Sequence, residues 1–247
     1  WRMFKRIRKN SIIMGQISYP IDEDQFEYGS DAYKLLTETY GFQIKVNIGD
    51  VDITPSRESL SYNTRTKENL ELLMSSACDE LAEQCLKSIE DCESLWEARC
   101  KHVDIMKEVG NIKSVRETVE NVTHWNEEKL FPKDGFSYIE LSDTVVNYSK
   151  SRYRETVSRD DTKRVTPHQS ELFYQDEKKG SVGKVRHYLK SIGNGSVILI
   201  PQDNLQVVCE ELGCSEDDIN NVSTLDSPPS SGRSYYYGGG GSQTSCI

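Results

Sequence analysis

The sequence has no run of eighteen apolar residues, no Cys-x-x-Cys pair, no His-Glu-x-x-His and no Gly-x-Ser-x-Gly. Each absence closes a class of function. Without the first, no segment is expected to cross a bilayer as a helix. Without the second and third, a dithiol redox centre and a zinc hydrolase both lack their ligands. The four histidines, His102, His124, His168 and His187, stand at no ligand spacing. Without the fourth, no serine sits on a strained strand-to-helix turn. Apolar residues are scarce as well, 36% of 247 residues against 28% charged, which predicts a folded protein rich in surface, elongated or multi-lobed. "WRMFKRIRKN" lacks the apolar stretch of a signal peptide and begins at Trp1, so a piece of a longer protein is the expectation. Its basic cluster, Arg2, Lys5, Arg6, Arg8 and Lys9, reads as a solvated edge.

Net charge is -10, and its distribution is uneven. From Thr66 to Glu128 there are fifteen acids against seven bases, a surface that repels phosphate backbones and argues against a basic nucleic-acid binder. Seven scattered cysteines do not form a secreted disulfide framework. Cys78, Cys85 and Cys92 recur every seven residues, about 10 Å apart along a helix. That is too far for a disulfide, so they read as small core-facing residues in a reducing cytoplasm. The sequons at Asn121, Asn147, Asn194 and Asn221 carry no weight without a secretory signal.

Along the chain, "SIIMGQISYPI" reads as a strand, "SDAYKLLTETYG" as a short helix closed by Gly41, and "FQIKVNIGDVDI" as an alternating strand broken at Gly49-Asp50. From Thr66 the period becomes helical: Leu73, Ala77, Leu81, Cys85, Ile89, Cys92, Trp96, Cys100 and Val103 form one apolar stripe. This predicts one long helix, or two with a bend near Asp91. Residues 1–108 are therefore read as a layered βαβ-type unit with a long acidic helix. Residues 109–168 are a connector without an assigned architecture, with "NIKSVRETVENV" a helix candidate. Within it "FSYIELSDTVVNYS" is β-like, with a helix candidate at its end, and "SRYRETVSRDDTKRVTPHQ" reads as a polar loop. Residues 169–225 alternate strand and helix ("ELFYQDE", "SVGKVRHYLKSIG", "GSVILIP", "DNLQVVCEELG", "INNVSTL"), predicting a small parallel α/β module. Residues 226–247 are Pro/Ser/Gly-rich and read as a flexible tail. The fold class is α+β.

"KKGSVGKVR" has a lysine at 178 and Val185 where a phosphate loop needs Gly and Ser/Thr, so Gly180 and Gly183 are read as the turn before a helix. "VDITPSRESLSY" (51–62) is more informative. Pro55 holds Thr54 extended, Ser56 can cap a short helix, and Glu58 suits its first turn. Arg57 would then leave a rigid strand-to-helix junction. Two readings stand: an arginine paired with a nearby acid, or a guanidinium aimed at an anionic transition state.

"DVDITPSRESLSY" resembles the middle domain of the ninety-kilodalton heat-shock chaperone, whose motif runs Leu-Pro-Leu-Asn-(Ile/Val)-Ser-Arg-Glu. "GQISYPID" followed by "IGDVDITPSRESLSYNTRTKENL" is similar in wording and order to the phage rapid-lysis protein A (rIIA-like) family. That likeness is strong over 11–75, weak over 76–168 and moderate over 170–224. The resemblance implies the transducer or middle region of a GHKL-type ATPase, with ATP and Mg bound mainly by an upstream domain. It places the γ-phosphate contact on Arg57, with Ser61 where the chaperone has a second, glutamine contact. It further implies a nucleotide-gated homodimer and a role in lysis timing or prophage exclusion. The setting would be the host bacterial cytoplasm, with peripheral association at the inner membrane. The alternative is a non-catalytic interaction scaffold of the same fold. A DNA-handling transducer is disfavoured by the acidic helix, and no nucleic-acid partner is expected.

Overall fold

The computed structural model describes residues 2–3, 10–38, 41–132, 137–167, 171–175 and 180–228. Strand β1 (Arg2–Met3) leads to β2 (Ser11–Met14) and β3 (Ile17–Pro20), then α1 (Asp31–Glu38) and β4 (Phe42–Val46). Helices α2 (Thr64–Glu90), α3 (Leu95–Val109) and α4 (Lys113–Glu120) follow, then the short strands β5 (His124–Trp125) and β6 (Glu128–Lys129). The remainder is β7 (Ile139–Lys150), β8 (Ser158–Val165), β9 (Glu171–Gln175), α5 (Ser181–Ile192), β10 (Gly195–Pro201), α6 (Leu205–Leu212) and β11 (Asn220–Asn221). The chain is α+β.

The first sheet has the order β1-β4-β2-β3. Strands β2 and β4 are parallel, but the connection between them holds β3 as well as α1, so the unit read as strand-helix-strand is a ββαβ arrangement. The stretch 11–21, read as one strand, is a hairpin of β2 and β3 turning at Gly15, whose φ of 64° suits glycine. "FQIKVNIGDVDI" does break at Gly49-Asp50, where Gly49 has φ 99°, but β4 already stops at Val46 and Ile48 and Val51 meet only in an isolated bridge.

Helix α2 begins where Asn63 accepts a hydrogen bond from the Thr66 amide. It breaks at Asp91, as the stripe implied, and α3 restarts behind the cap Ser94. Leu70, Met74, Cys78, Leu81, Cys85 and Ile89 share one core with the sheet residues Ile12, Tyr19, Phe42 and Ile44. That core continues through Ile112, Val115, Val119, Leu130 and Phe131. The supposed connector is therefore divided. Its first part, α4 included, completes the N-terminal core, and its second part builds the other sheet.

The second sheet runs β11-β9-β10-β7-β8. It is mixed and not parallel, as expected from the module alone: β9, β10 and β11 are parallel, but β7 pairs antiparallel with both β10 and β8. "FSYIELSDTVVNYS" does not end in helix, because β7 continues to Lys150. The polar "loop" also proves to contain a strand, β8 (SRDDTKRV), an edge whose side chains are almost all exposed. Central strand β10 buries Val197 and Leu199 on one face under α5, and Ile198 and Ile200 on the other under α6. Burial on both faces is why its sequence is continuously apolar. Gly180, at φ 119°, precedes α5, but Gly183 lies inside its first turn and not before it. Among the described residues no helix is long and apolar enough to cross a membrane. The basic N-terminal side chains and most of the 226–247 tail lie outside the described residues.

Candidate functional site

No helix starts at Ser56. The backbone instead makes a small hairpin over residues 52–61: Thr54 N–H donates to Ser59 O at 3.0 Å, Ser61 N–H to Asp52 O at 2.8 Å, and Ile53 bridges Leu60. The cause is Leu60, which is buried and draws the chain back toward the core before α2 can begin. Arg57 sits in the turn at its tip, its amide donating to Thr54 O at 2.8 Å. The Thr54 hydroxyl lies 3.1 Å from Ser56 Oγ and 3.3 Å from Ser59 Oγ, knitting the turn from inside.

Arg57 has φ 63°, the left-handed region. For a residue with a Cβ this conformation costs roughly 1–2 kcal/mol. The other described non-glycine residues with positive φ are Asn126 and Glu127, in the turn between β5 and β6. Arg57 is exposed, and no described acid pairs with its guanidinium, so the ion-pair reading of this residue has no partner among the described residues. Ser61 is half-buried at the base of the hairpin, level with Asp52. The structure thus separates Ser61 from the tip that carries Arg57.

The base of the hairpin is tied to the start of α2. Asp52 N–H donates to Thr66 Oγ1 at 2.9 Å, Asn63 Nδ2 to Asp52 Oδ2 at 2.8 Å, and Asn69 Nδ2 to the Asp50 carbonyl at 2.6 Å. Arg65 donates to the Gly49 carbonyl and reaches Asp52 at 4.0 Å, both side chains being well exposed. Tyr62 Oη accepts from the Asp22 amide at 2.8 Å. Displacing the arginine turn therefore pulls on the first two turns of α2.

At the far end of the helices lies a residue that the sequence reading passed over. Arg99 is 5% exposed. Its guanidinium donates to the carbonyls of Leu130, Lys129 (3.2 Å) and Glu211 (3.0 Å), the last in the final turn of α6. Beside it Trp96 N–H donates to Gly213 O at 2.9 Å, and the Trp96 ring packs into the core under α6. These contacts join the two cores. A signal was present in the sequence: Arg99 lies three residues after Trp96 and four before Val103, inside the apolar stripe. Burial lowers its pKa, against the opposing pull of Glu128.

The other titratable candidates are not brought together. His102 is buried, with Nε2 3.2 Å from Val119 O and its ring edge-on to Phe131. His124 is exposed beside Thr123, and His168 lies outside the described residues. Burial raises the thiols of Cys78 and Cys85 to about 11, so both are inert core residues at neutral pH. Among the described residues no group of His, Cys, Asp or Glu could hold a metal ion. Arg57 is an exposed side chain on a turn whose backbone is held by hydrogen bonds. No protein-family model, curated protein or solved structure matches the chain.

Proposed function

We propose that this chain is the transducer region of a phage rIIA-like GHKL-type ATPase, in which Arg57 senses the γ-phosphate of ATP bound by an upstream domain. The observation that carries the reading is Arg57 itself: an exposed arginine without an acid partner, held in a strained backbone conformation on a turn tied to a long helix. Strain of this kind persists only where the surroundings enforce it, and it gathers at working sites. The order of parts also supports the reading. A sheet, an arginine turn, long helices and then a small α/β module is the order that the chaperone-like resemblance implies.

In this proposal ATP and its Mg supply the phosphoryl group and most of its charge neutralisation. The chain's own task is to bring one planar cation to the γ-phosphate when the domains close. Closure would press on the turn at residues 54–57, pass to α2 through Asp52, Asn63 and Thr66, and reach the C-terminal module through α3, Trp96 and Arg99. A homodimer gated by nucleotide, and a role in lysis timing or prophage exclusion near the inner membrane, belong to the same proposal. Arg57→Ala in the protein carrying the nucleotide domain is the test: turnover should collapse while ATP affinity stays nearly intact. Unchanged turnover would favour the scaffold of the same fold. The 247-residue chain by itself should bind ATP no more tightly than a lone arginine allows, and micromolar binding in a calorimeter would contradict the placement of the nucleotide upstream.

A further inference from the structure

Charge in the C-terminal module is segregated by face. From Asp203 to Asp218 there are six carboxylates and no Lys or Arg, while Asp226 follows Leu225, which packs on the α5 side. Helix α5 carries Lys184, Arg186 and Lys190 and no acid, and residues 150–154 place three cations around Tyr153. The two groups lie on opposite sides of the sheet, because α5 covers Val197 and Leu199 while α6 covers Ile198 and Ile200. The α6 side is the one joined to α3 through Trp96. The basic side consequently points away from the acidic helical unit.

Two contacts gather this basic side into one surface. Lys150 Nζ donates to the Arg154 carbonyl at 3.0 Å and reaches the Gly193 carbonyl at 3.5 Å, pinning the β7–β8 turn to the C-terminal end of α5. The Arg186 guanidinium lies 5.8 Å from the centre of the Tyr148 ring, two residues before Lys150. Arg186 and Lys190 are one helical turn apart, about 6 Å, and the end of α5 beyond them meets the turn that carries Arg152 and Arg154. All four are exposed, and none forms an ion pair with a described residue. Arg159 is excluded from the row by its 2.9 Å bridge to Asp161. Between Arg152 and Arg154, Tyr153 is 92% exposed, with its ring held out in water.

We infer that this face, the outer side of α5 with the β7–β8 turn, is a binding site for single-stranded nucleic acid. A row of cations tracks a phosphate backbone, and a bare aromatic ring flanked by guanidinium groups offers a base a stacking platform. Recognition of this kind reads no sequence. The geometry favours a thin strand over an anionic bilayer for two reasons. A bilayer is a plane, which sums the charge of everything near it, and the chain as a whole carries -10. A strand feels mainly what lies within a Debye length, about 8 Å at physiological salt. The acidic helix that argued against nucleic acid in the sequence lies on the other side of the joint. Glu155 is the one carboxylate in residues 150–157.

The test is fluorescence anisotropy of a labelled oligothymidylate, and of its oligouridylate counterpart, with the 247-residue chain. Four phosphate contacts predict binding that weakens about fiftyfold between about 50 and 200 mM salt. Tyr153→Ala should weaken it at least about fivefold, and Arg152→Glu with Arg154→Glu should weaken it more. Both changes lie in an exposed turn, so circular dichroism should be unaltered. Absence of binding at tens of micromolar protein in low salt would overturn the inference, as would binding indifferent to both changes. Sedimentation with phosphatidylglycerol vesicles in the absence of oligonucleotide binding would assign the face to a bilayer and overturn it too. None of these results depends on Arg57 or on ATP.

Discussion

Arg99→Ala removes a side chain that hydrogen-bonds across the joint between the two cores. Three bonds from a charged donor disappear, those to Leu130, Lys129 and Glu211, and such bonds contribute roughly 1.5–3 kcal/mol each. Against this stands relief: a guanidinium only 5% exposed no longer has to be desolvated, a cost of several kcal/mol per ion. What tips the balance is the loss of the Arg99 donor at the Leu130 and Glu211 carbonyl oxygens, about 1–3 kcal/mol each. The expected net destabilisation is about 3 kcal/mol, similar to breaking a buried pair. With a urea slope near about 3 kcal/mol/M for a chain of this size, the midpoint should fall by about 1 M. Because the lost bonds tie α6 to α3, the single transition should also split, with the C-terminal module melting first. Urea titrations followed by far-ultraviolet dichroism and tryptophan fluorescence would show both effects. Arg99→Met, which keeps the volume without the donors, separates packing from hydrogen bonding. A methionine variant as stable as the parent would refute the reasoning, since the carbonyl bonds would then contribute nothing net.

Two acid-side effects follow, one from a buried group and one from a partly exposed cap. Burial lowers the pKa of His102, outweighing the Val119 carbonyl and Glu120, so the unfolded chain takes up the proton first. Its contribution is complete above about pH 6.5 and is lost as pH falls below that value; His102→Phe should flatten the stability-pH curve below about pH 6.5. Partial burial pushes the Asp31 carboxyl up, but hydrogen bonds from the Ser114 and Lys113 amides, with the charge of Lys34, leave the pKa lowered. Asp31 thereby caps α4 from another element, at 2.7 and 2.8 Å. Asp31→Ala should cost about 1–2 kcal/mol at neutral pH. That difference should shrink as pH drops below about 4, where the carboxylate is lost, and thermal melts across the range would read it.

Elements whose stability comes from one buried stripe were legible. Helices α2 and α3 and their break at Asp91 follow from apolar residues three and four apart, and the double-sided burial of β10 shows as a continuous run. Elements chosen by their neighbours were not. Strand β8 has nothing apolar in its first seven residues, and it is a strand because β7 offers it an edge. The hairpin at 11–20 hid in an apolar stretch whose only mark was Gly15-Gln16. At the arginine turn, Pro55, Ser56 and Glu58 carry every local signal of a helix start, yet burial of Leu60 overrides them and passes the cap to Asn63. The residue singled out, Arg57, kept its exposure and its anchoring but not its helix. Arg99 was missed because a charged residue in a helix reads as surface unless its position in the stripe is weighed.

The most direct test of the account is single-turnover ATP hydrolysis by the protein carrying the proposed nucleotide domain, with Arg57 replaced by Ala, Lys and Gly. Loss of an arginine that meets the γ-phosphate only on closure should slow hydrolysis by about a thousandfold or more, with nucleotide affinity nearly unchanged. Lysine should rescue poorly, lacking the planar fork. Glycine relieves the left-handed backbone at φ 63°, so Arg57→Gly should fold at least as stably as Arg57→Ala while being equally inactive. That pairing of undiminished stability with lost turnover is what a strained working residue predicts. Hydrolysis at the parent rate in well-folded Ala and Gly variants would contradict the account.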